Sequence, residues 1–173
     1  PLTEVAVFSI EAALNAQNAG ADRLELCFSY NDGGLSPSSG TLFEVKKKVN
    51  IPVFVMIRPR EGGFVYSGHE FEVMKTDLSV FKAAGADGFV FGLLTPEMGI
   101  DKVRCRELTD RASGLPCTFH RAFDRCKNPT QALEDIINCG FRRVLTSGQQ
   151  PTAAEGIPLI AELVKQAGDR III

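Results

Sequence analysis

The sequence predicts an α/β fold of the (β/α)8 TIM-barrel type, and three observations carry that prediction. Short β-rich runs alternate with single helical stretches along all 173 residues, the pattern of parallel strands joined by helical crossovers. The joints from helix to strand recur in two forms, one built on glycine and one on proline. No glycine-rich phosphate loop follows the first strand, which sets the chain apart from a doubly wound dinucleotide fold.

The β-rich runs cover 4–8, 23–27, 53–58, 88–92, 117–121, 143–146 and 170–173. After the first, Phe8-Ser9-Ile10-Glu11 leads straight into helix. Leu42, Val45 and Val49 mark the helix before the third strand, and Phe71, Met74, Leu78 and Phe81 give the 3-4-3 stripe of a buried helix over 69–84. Leu133, Ile136 and Ile137 supply the same spacing later. Strands two, four and six follow Gly20, Gly85 and Gly140, whereas strands three and five follow Pro52 and Pro116. Glycine ends a helix by turning left-handed, and proline stops one because it lacks an N–H.

The repeat of roughly 30 residues runs without a break, so the sequence predicts one barrel domain over 1–173. Barrels of this kind usually need about 200 to 250 residues. The apolar ending Ile171-Ile172-Ile173 reads as the start of a seventh strand, so the barrel is expected to be truncated there, with further units beyond.

A net charge of −2 and no basic run longer than Lys46-Lys47-Lys48 argue against nucleic acid and anionic membranes as partners. No apolar run reaches the roughly 18 residues of a span, and Pro1-Leu2-Thr3-Glu4 lacks the regions of a signal peptide. A cytoplasmic protein is expected. Five cysteines, an odd number without CxxC spacing, predict reduced thiols in place of a disulfide framework or structural zinc.

Chemistry in such barrels sits where strands pass into the following loops. Those positions hold Ser9, then Glu25 and Cys27, then Arg58 and Arg60, then Phe91-Gly92, then His120, Arg121 and Asp124, and last Thr146 and Ser147. His120 is a candidate general acid or base, with Glu25 or Asp124 orienting it; the same position suits a histidine that only organises the barrel mouth. Arg58 and Arg121 could clamp a phosphate or carboxylate, or pair internally with Glu25 or Asp124. Glu25, Arg58, His120 and Asp124 thus form the candidate catalytic set, with Arg60, Arg121, Thr146 and Ser147 as candidate ligand-binding residues. Thr146-Ser147-Gly148 offers hydroxyls and amides to an anion, or is a small polar turn. The loop 31–40 could close over the mouth, or is a turn capped by Ser36 or Ser38 before a helix.

All eight lysines fall in helices or loops, which leaves no lysine on a strand for a Schiff base. One rim histidine is too few for a hydrolytic zinc, and Glu25 with Asp124 is only a nominal glycosidase pair.

Five motifs together resemble the CutC copper-homeostasis proteins: Gly20 to Cys27, Ile51 to Arg60, Phe91 to Thr95, Thr118 to Asp124, and Leu145 to Gly148. They stand in that family's order along the whole chain. The resemblance implies a cytosolic, oligomeric (β/α)8 barrel that continues past Ile173, with copper(I) as partner, whereas the rim residues themselves suit a small anionic ligand. It also implies Cys27 as a copper(I) ligand, since a soft thiolate suits that ion. The first strand departs from the family's Glu-Val-Cys-Val-Asp-Ser, with Ala6 in place of the cysteine and Phe8 in place of the aspartate. Cys126 is the candidate second thiol. Copper homeostasis of the CutC type is the expected function, with an enzyme acting on a small anionic, sugar- or phosphate-like substrate at the rim as the alternative.

Overall fold

The computed structural model describes residues 2–173, and the chain divides into two compact units. The first runs to Gly62 and adds Gly68–Val90; the second comprises Gly63–Ser67 and Phe91–Ile173. The first unit carries strand β1 (Glu4–Val7), helix α1 (Ile10–Asn18), β2 (Arg23–Leu26), a 3-10 turn (Tyr30–Asp32), α2 (Ser39–Lys46), β3 (Val53–Met56), α3 (Gly68–Ala83) and most of β4 (Gly88–Phe91). Its strands pair in parallel in chain order. The second unit carries α4 (Lys102–Ala112), β5 (Cys117–Phe119), a 3-10 turn (Arg121–Arg125), α5 (Pro129–Asn138), β6 (Arg143–Val144) and α6 (Ile157–Ala167), with β5 parallel to β6. Strand and helix therefore alternate as expected, in six parallel strands and six helices among the described residues. The seventh strand is reduced to one parallel bridge between Arg143 and Ile172.

The strands are one or two residues shorter than the β-rich runs. Ladder bonds persist through the amides of Cys27, Ile57 and Leu145. The next amide on β3, that of Arg58, turns to the Ser36 hydroxyl at 2.9 Å, which ends regular pairing.

Side-chain caps start α1, α2, α4 and α5. Ser9, Ser38, Asp101 and Asn128 accept from the amides of Ala12, Thr41, Arg104 and Gln131, satisfying donors that the first turn leaves open. The glycine joints share one geometry. Gly20, Gly85 and Gly140 are left-handed, and in each case the following residue's amide reaches back to the helix (Ala21 to Ala16, Ala86 to Phe81, Phe141 to Ile136), which is the Schellman pattern. The proline joint at Pro116 is less distinct than expected, because left-handed Ser113 and Gly114 precede it.

An aspartate follows two of these joints and does the same work twice. Asp22 Oδ2 accepts from Thr3 N at 2.7 Å, and Asp87 Oδ2 from Val53 N at 2.7 Å. The aspartate's own amide donates to the carbonyl of that same residue. Each carboxylate so pins the start of one strand to the start of the next.

The predicted stripe Phe71, Met74, Leu78 and Phe81 is buried along α3, as are Leu42, Val45, Leu133 and Ile136. Inside the first unit the register aligns Ala6, Glu25, Phe54 and Gly88 in one row. A Cβ on Gly88 would stand 2.6 Å from the Phe54 ring, so only glycine leaves room for it. Above this row Cys27, Met56 and Val90 cluster with Phe54, and Phe8 packs against them.

Candidate functional site

Side chains two apart on a strand share a face, so β2 aligns Arg23, Glu25 and Cys27. Arg23 pairs with Glu4 and lies over the Phe54 ring, 4.5 Å from its centroid. Glu25 is buried inside the row, one position deeper than the strand end assigned to it from sequence. Burial first, and the Glu4 charge second, push its carboxyl up to about 7, against the lowering effects of Cys27 and Arg23.

Cys27 lies where β2 ends, with its Sγ 3.5 Å from Glu25 Oε1. Burial and then the Glu25 charge push this thiol well up from its ordinary value. Left-handed Gly34 packs over this point: a Cβ there would stand 3.3 Å from Cys27 Sγ and 3.7 Å from Met56 Cε. Cys27 and Met56 thus meet at one point under the 29–36 loop, whose Phe28 and Leu35 form an antiparallel bridge.

Arg58 is buried and directs its guanidinium at backbone. Its Nη1 donates to the carbonyls of Asp32 (2.7 Å) and Gly34 (3.1 Å), and its Nη2 to Gly62 (3.0 Å). These bonds tie two loops together. Arg60 turns away to Glu70, with Nε 2.5 Å from Oε1 and Nη2 3.4 Å from Oε2.

In the second unit His120 is buried at the end of β5. Its Nδ1 accepts the Ala122 amide at 3.2 Å, so the neutral ring carries its proton on Nε2. The ring tilts against Phe64 at 4.9 Å between centroids, and a Cβ on Gly92 would stand 2.7 Å from Nδ1. Asp124 gathers the rest of the predicted set. Its carboxylate accepts from the Thr146 hydroxyl, the Ser147 and Gln149 amides and Arg121 Nε. Burial would raise its pKa, but the Thr146, Arg121, Ser147 and Gln149 bonds outweigh this and lower it.

The structure therefore joins Glu25 to Cys27, and Asp124 to Arg121, Thr146 and Ser147. Cys126 belongs to the second unit, where Gln149 Nε2 donates to its carbonyl at 2.7 Å and burial raises its thiol to about 11. Ser9 caps α1. Sequence reasoning missed Met56, Gly34 and Gln149: the first reads as an ordinary core residue, Gly34 acts by lacking a Cβ, and Gln149 acts through both its amide and its side chain. Among the described residues no three His, Cys, Asp or Glu side chains converge as a metal site.

Parallel strand–helix units in sequence, with polar side chains at the strand-to-loop ends, define an α/β protein of parallel strands and helical crossovers. Residues 2–173 match the CutC family model, and the chain belongs to the CutC family. It is 54% identical over 172 residues to the human copper homeostasis protein cutC homolog, covering 99% of this chain and 63% of that protein. It is 49% identical over 173 residues to the CutC family protein of Mesorhizobium japonicum, covering 100% of this chain and 67% of that one. The chain thus spans somewhat less than two thirds of the human relative's length. The crystal structure of CutC from Streptococcus agalactiae superposes with a TM-score of 0.92 at 33% identity, covering 99% of this chain and 85% of the other. An oxaloacetate acetylhydrolase shares the fold alone, with a TM-score of 0.68 at 11% identity over 99% of this chain and 65% of that one.

Proposed function

We propose that this chain acts in copper homeostasis and takes copper(I) at the Cys27 thiol. The observation that carries the reading is the packing beneath Gly34, where the Cys27 thiol lies with the Met56 side chain in one cluster and 3.5 Å from the Glu25 carboxyl. A thiolate with a thioether nearby is a soft donor set of the kind copper(I) prefers. The relatives named for copper homeostasis support the same role. Since the ligand is the thiolate, copper uptake must release the Cys27 proton. The test is a competition titration of reduced protein with copper(I), comparing wild type, Cys27→Ser and Cys126→Ser. Stoichiometric binding lost in Cys27→Ser supports the site. Equal binding by all three removes it.

A second reading, an enzyme for a small anionic substrate, is favoured by one observation: Glu25, Arg58 and His120 are all buried polar side chains next to strand ends, where barrel chemistry lies. In it His120 moves a proton and Arg121 contacts the anion, both within the second unit. Thermal stabilisation by inorganic phosphate or oxalate that is lost in His120→Ala and Arg121→Ala would support it, and equal stabilisation of the variants would dismiss it.

We further propose one domain over 1–173, the larger part of a full (β/α)8 TIM barrel, working as a cytoplasmic homo-oligomer. The sequential strand–helix order and the likeness to CutC support the barrel. No described helix is long and apolar enough to cross a membrane. Light scattering on the purified chain tests the oligomer, and a single scattering mass equal to one chain would dismiss it.

A further inference from the structure

We infer that the 146–149 loop is an oxyanion cradle whose resident occupant is the protein's own Asp124 carboxylate. The cradle is therefore closed to external anions while that carboxylate is in place, and receives one when it is removed. The inference stands apart from the copper reading. For the enzyme reading it means that a substrate anion is not held at Thr146 and Ser147.

The geometry is that of a bound anion. Oδ1 accepts from Thr146 Oγ1 at 2.5 Å, from Ser147 N at 3.2 Å and from Gln149 N at 3.1 Å. Oδ2 accepts from Ser147 N at 3.1 Å and from Arg121 Nε at 2.8 Å, with Ser147 Oγ 3.0 Å away. The intervening Gly148 amide donates to Thr146 Oγ1 at 2.9 Å, which aims that hydroxyl at the carboxylate. Amides curled around one point in this way form an anion-binding concavity. The side chain of Asp124 is only 8% exposed, whereas that of Arg121 is 53% exposed and closes the cradle from the solvent side. Arg121 Nη2 also donates to Ser147 Oγ at 2.6 Å, which fixes the guanidinium plane.

A separate feature fixes the loop without Asp124. Gly148 is left-handed at φ +68°, and Gln149 is left-handed at φ 59°, a conformation that costs a residue with a side chain about 1 kcal/mol. A Cβ on Gly148 would overlap the Gly156 carbonyl, and a Cβ on Gly156 would overlap the Ser147 carbonyl. Backbone packed this closely holds the curl by its shape. Removing the carboxylate should therefore leave a positively charged, carboxylate-sized hole lined by amides and a hydroxyl.

The test is anion rescue. Asp124→Ala should melt below wild type in chloride buffer. Formate or inorganic phosphate, at matched ionic strength, should raise its melting temperature and leave wild type unmoved, and Arg121→Ala in the same background should abolish the gain. Equal stabilisation of wild type would overturn the inference, because the cradle would then accept an external anion alongside Asp124. A folded Asp124→Ala indifferent to both anions would overturn it too. If that variant does not fold, Asp124→Asn decides by hydrogen exchange. Loss of the charged acceptor should speed exchange at the Ser147 and Gln149 amides at least about tenfold, and unchanged protection would refute the claim.

Discussion

Cys27 Sγ stands 3.5 Å from Glu25 Oε1 on the same face of β2, so a thiol and a carboxyl share one buried environment. The Glu25 charge raises the cost of ionising Cys27, whereas the Cys27 hydrogen bond eases the ionisation of Glu25. Burial dominates both effects, which leaves a neutral pair in the folded protein at mildly acidic pH.

The metal-free protein should therefore lose stability as pH rises from about 4.5 to about 7. Below 4.5, the ordinary value, Glu25 is protonated whether folded or unfolded. Between the two values only the unfolded chain ionises, which favours unfolding by about 3 kcal/mol in all. Above 7 the loss levels off. Glu25→Gln should flatten this limb in urea titrations, and an unchanged slope would show that Glu25 is not its source. Asp124 has the opposite sign. Its lowered pKa adds stability that is present above the ordinary carboxylate value and lost as pH falls through the folded one.

Gly88→Ala should destabilise the fold by about 2 kcal/mol, because a methyl group there collides with the Phe54 ring. Phe54→Leu in the same chain should recover part of the loss. A double-mutant cycle without coupling would show that the two positions do not meet.

Asp22→Ala and Asp87→Ala should each cost about 1–2 kcal/mol by releasing a strand-start amide. Asp87→Ala should cost more, since its carboxylate also holds Lys46 at 2.6 Å. Chemical denaturation of the two variants measures this directly, and equal losses would deny Lys46 a share.

Arg58→Lys should loosen the 29–36 loop although the charge is kept. One ammonium cannot reproduce a fork that spans the Asp32, Gly34 and Gly62 carbonyls. Limited proteolysis should cut within that loop sooner than in wild type. Unchanged cutting would show that the arginine's bonds do not hold it.

Much of this fold is legible in the sequence because its punctuation is local. Gly20, Gly85 and Gly140 announce helix ends whose bonds lie within six residues, and the Phe71 to Phe81 stripe needs only helix period to be seen. The site is less legible. That Arg58 binds the carbonyls of Asp32, Gly34 and Gly62 depends on where two loops travel, which residue types do not encode. Asp124 reads as a candidate acid from its place after β5. Its pairing with Arg121 is open to sequence reasoning, but its further partners include the amides at 147 and 149, and an amide leaves no mark in a sequence. Cys27 was legible by position, whereas Met56 beside it looked like any residue of a buried strand.

The most direct test of the copper reading is X-ray absorption at the copper edge on reduced protein loaded with one equivalent of copper(I) and desalted. The account predicts sulfur bonded to copper in wild type and in Cys126→Ser, and loss of that sulfur in Cys27→Ser. Copper that does not survive desalting, or a spectrum unchanged by Cys27→Ser, would contradict it.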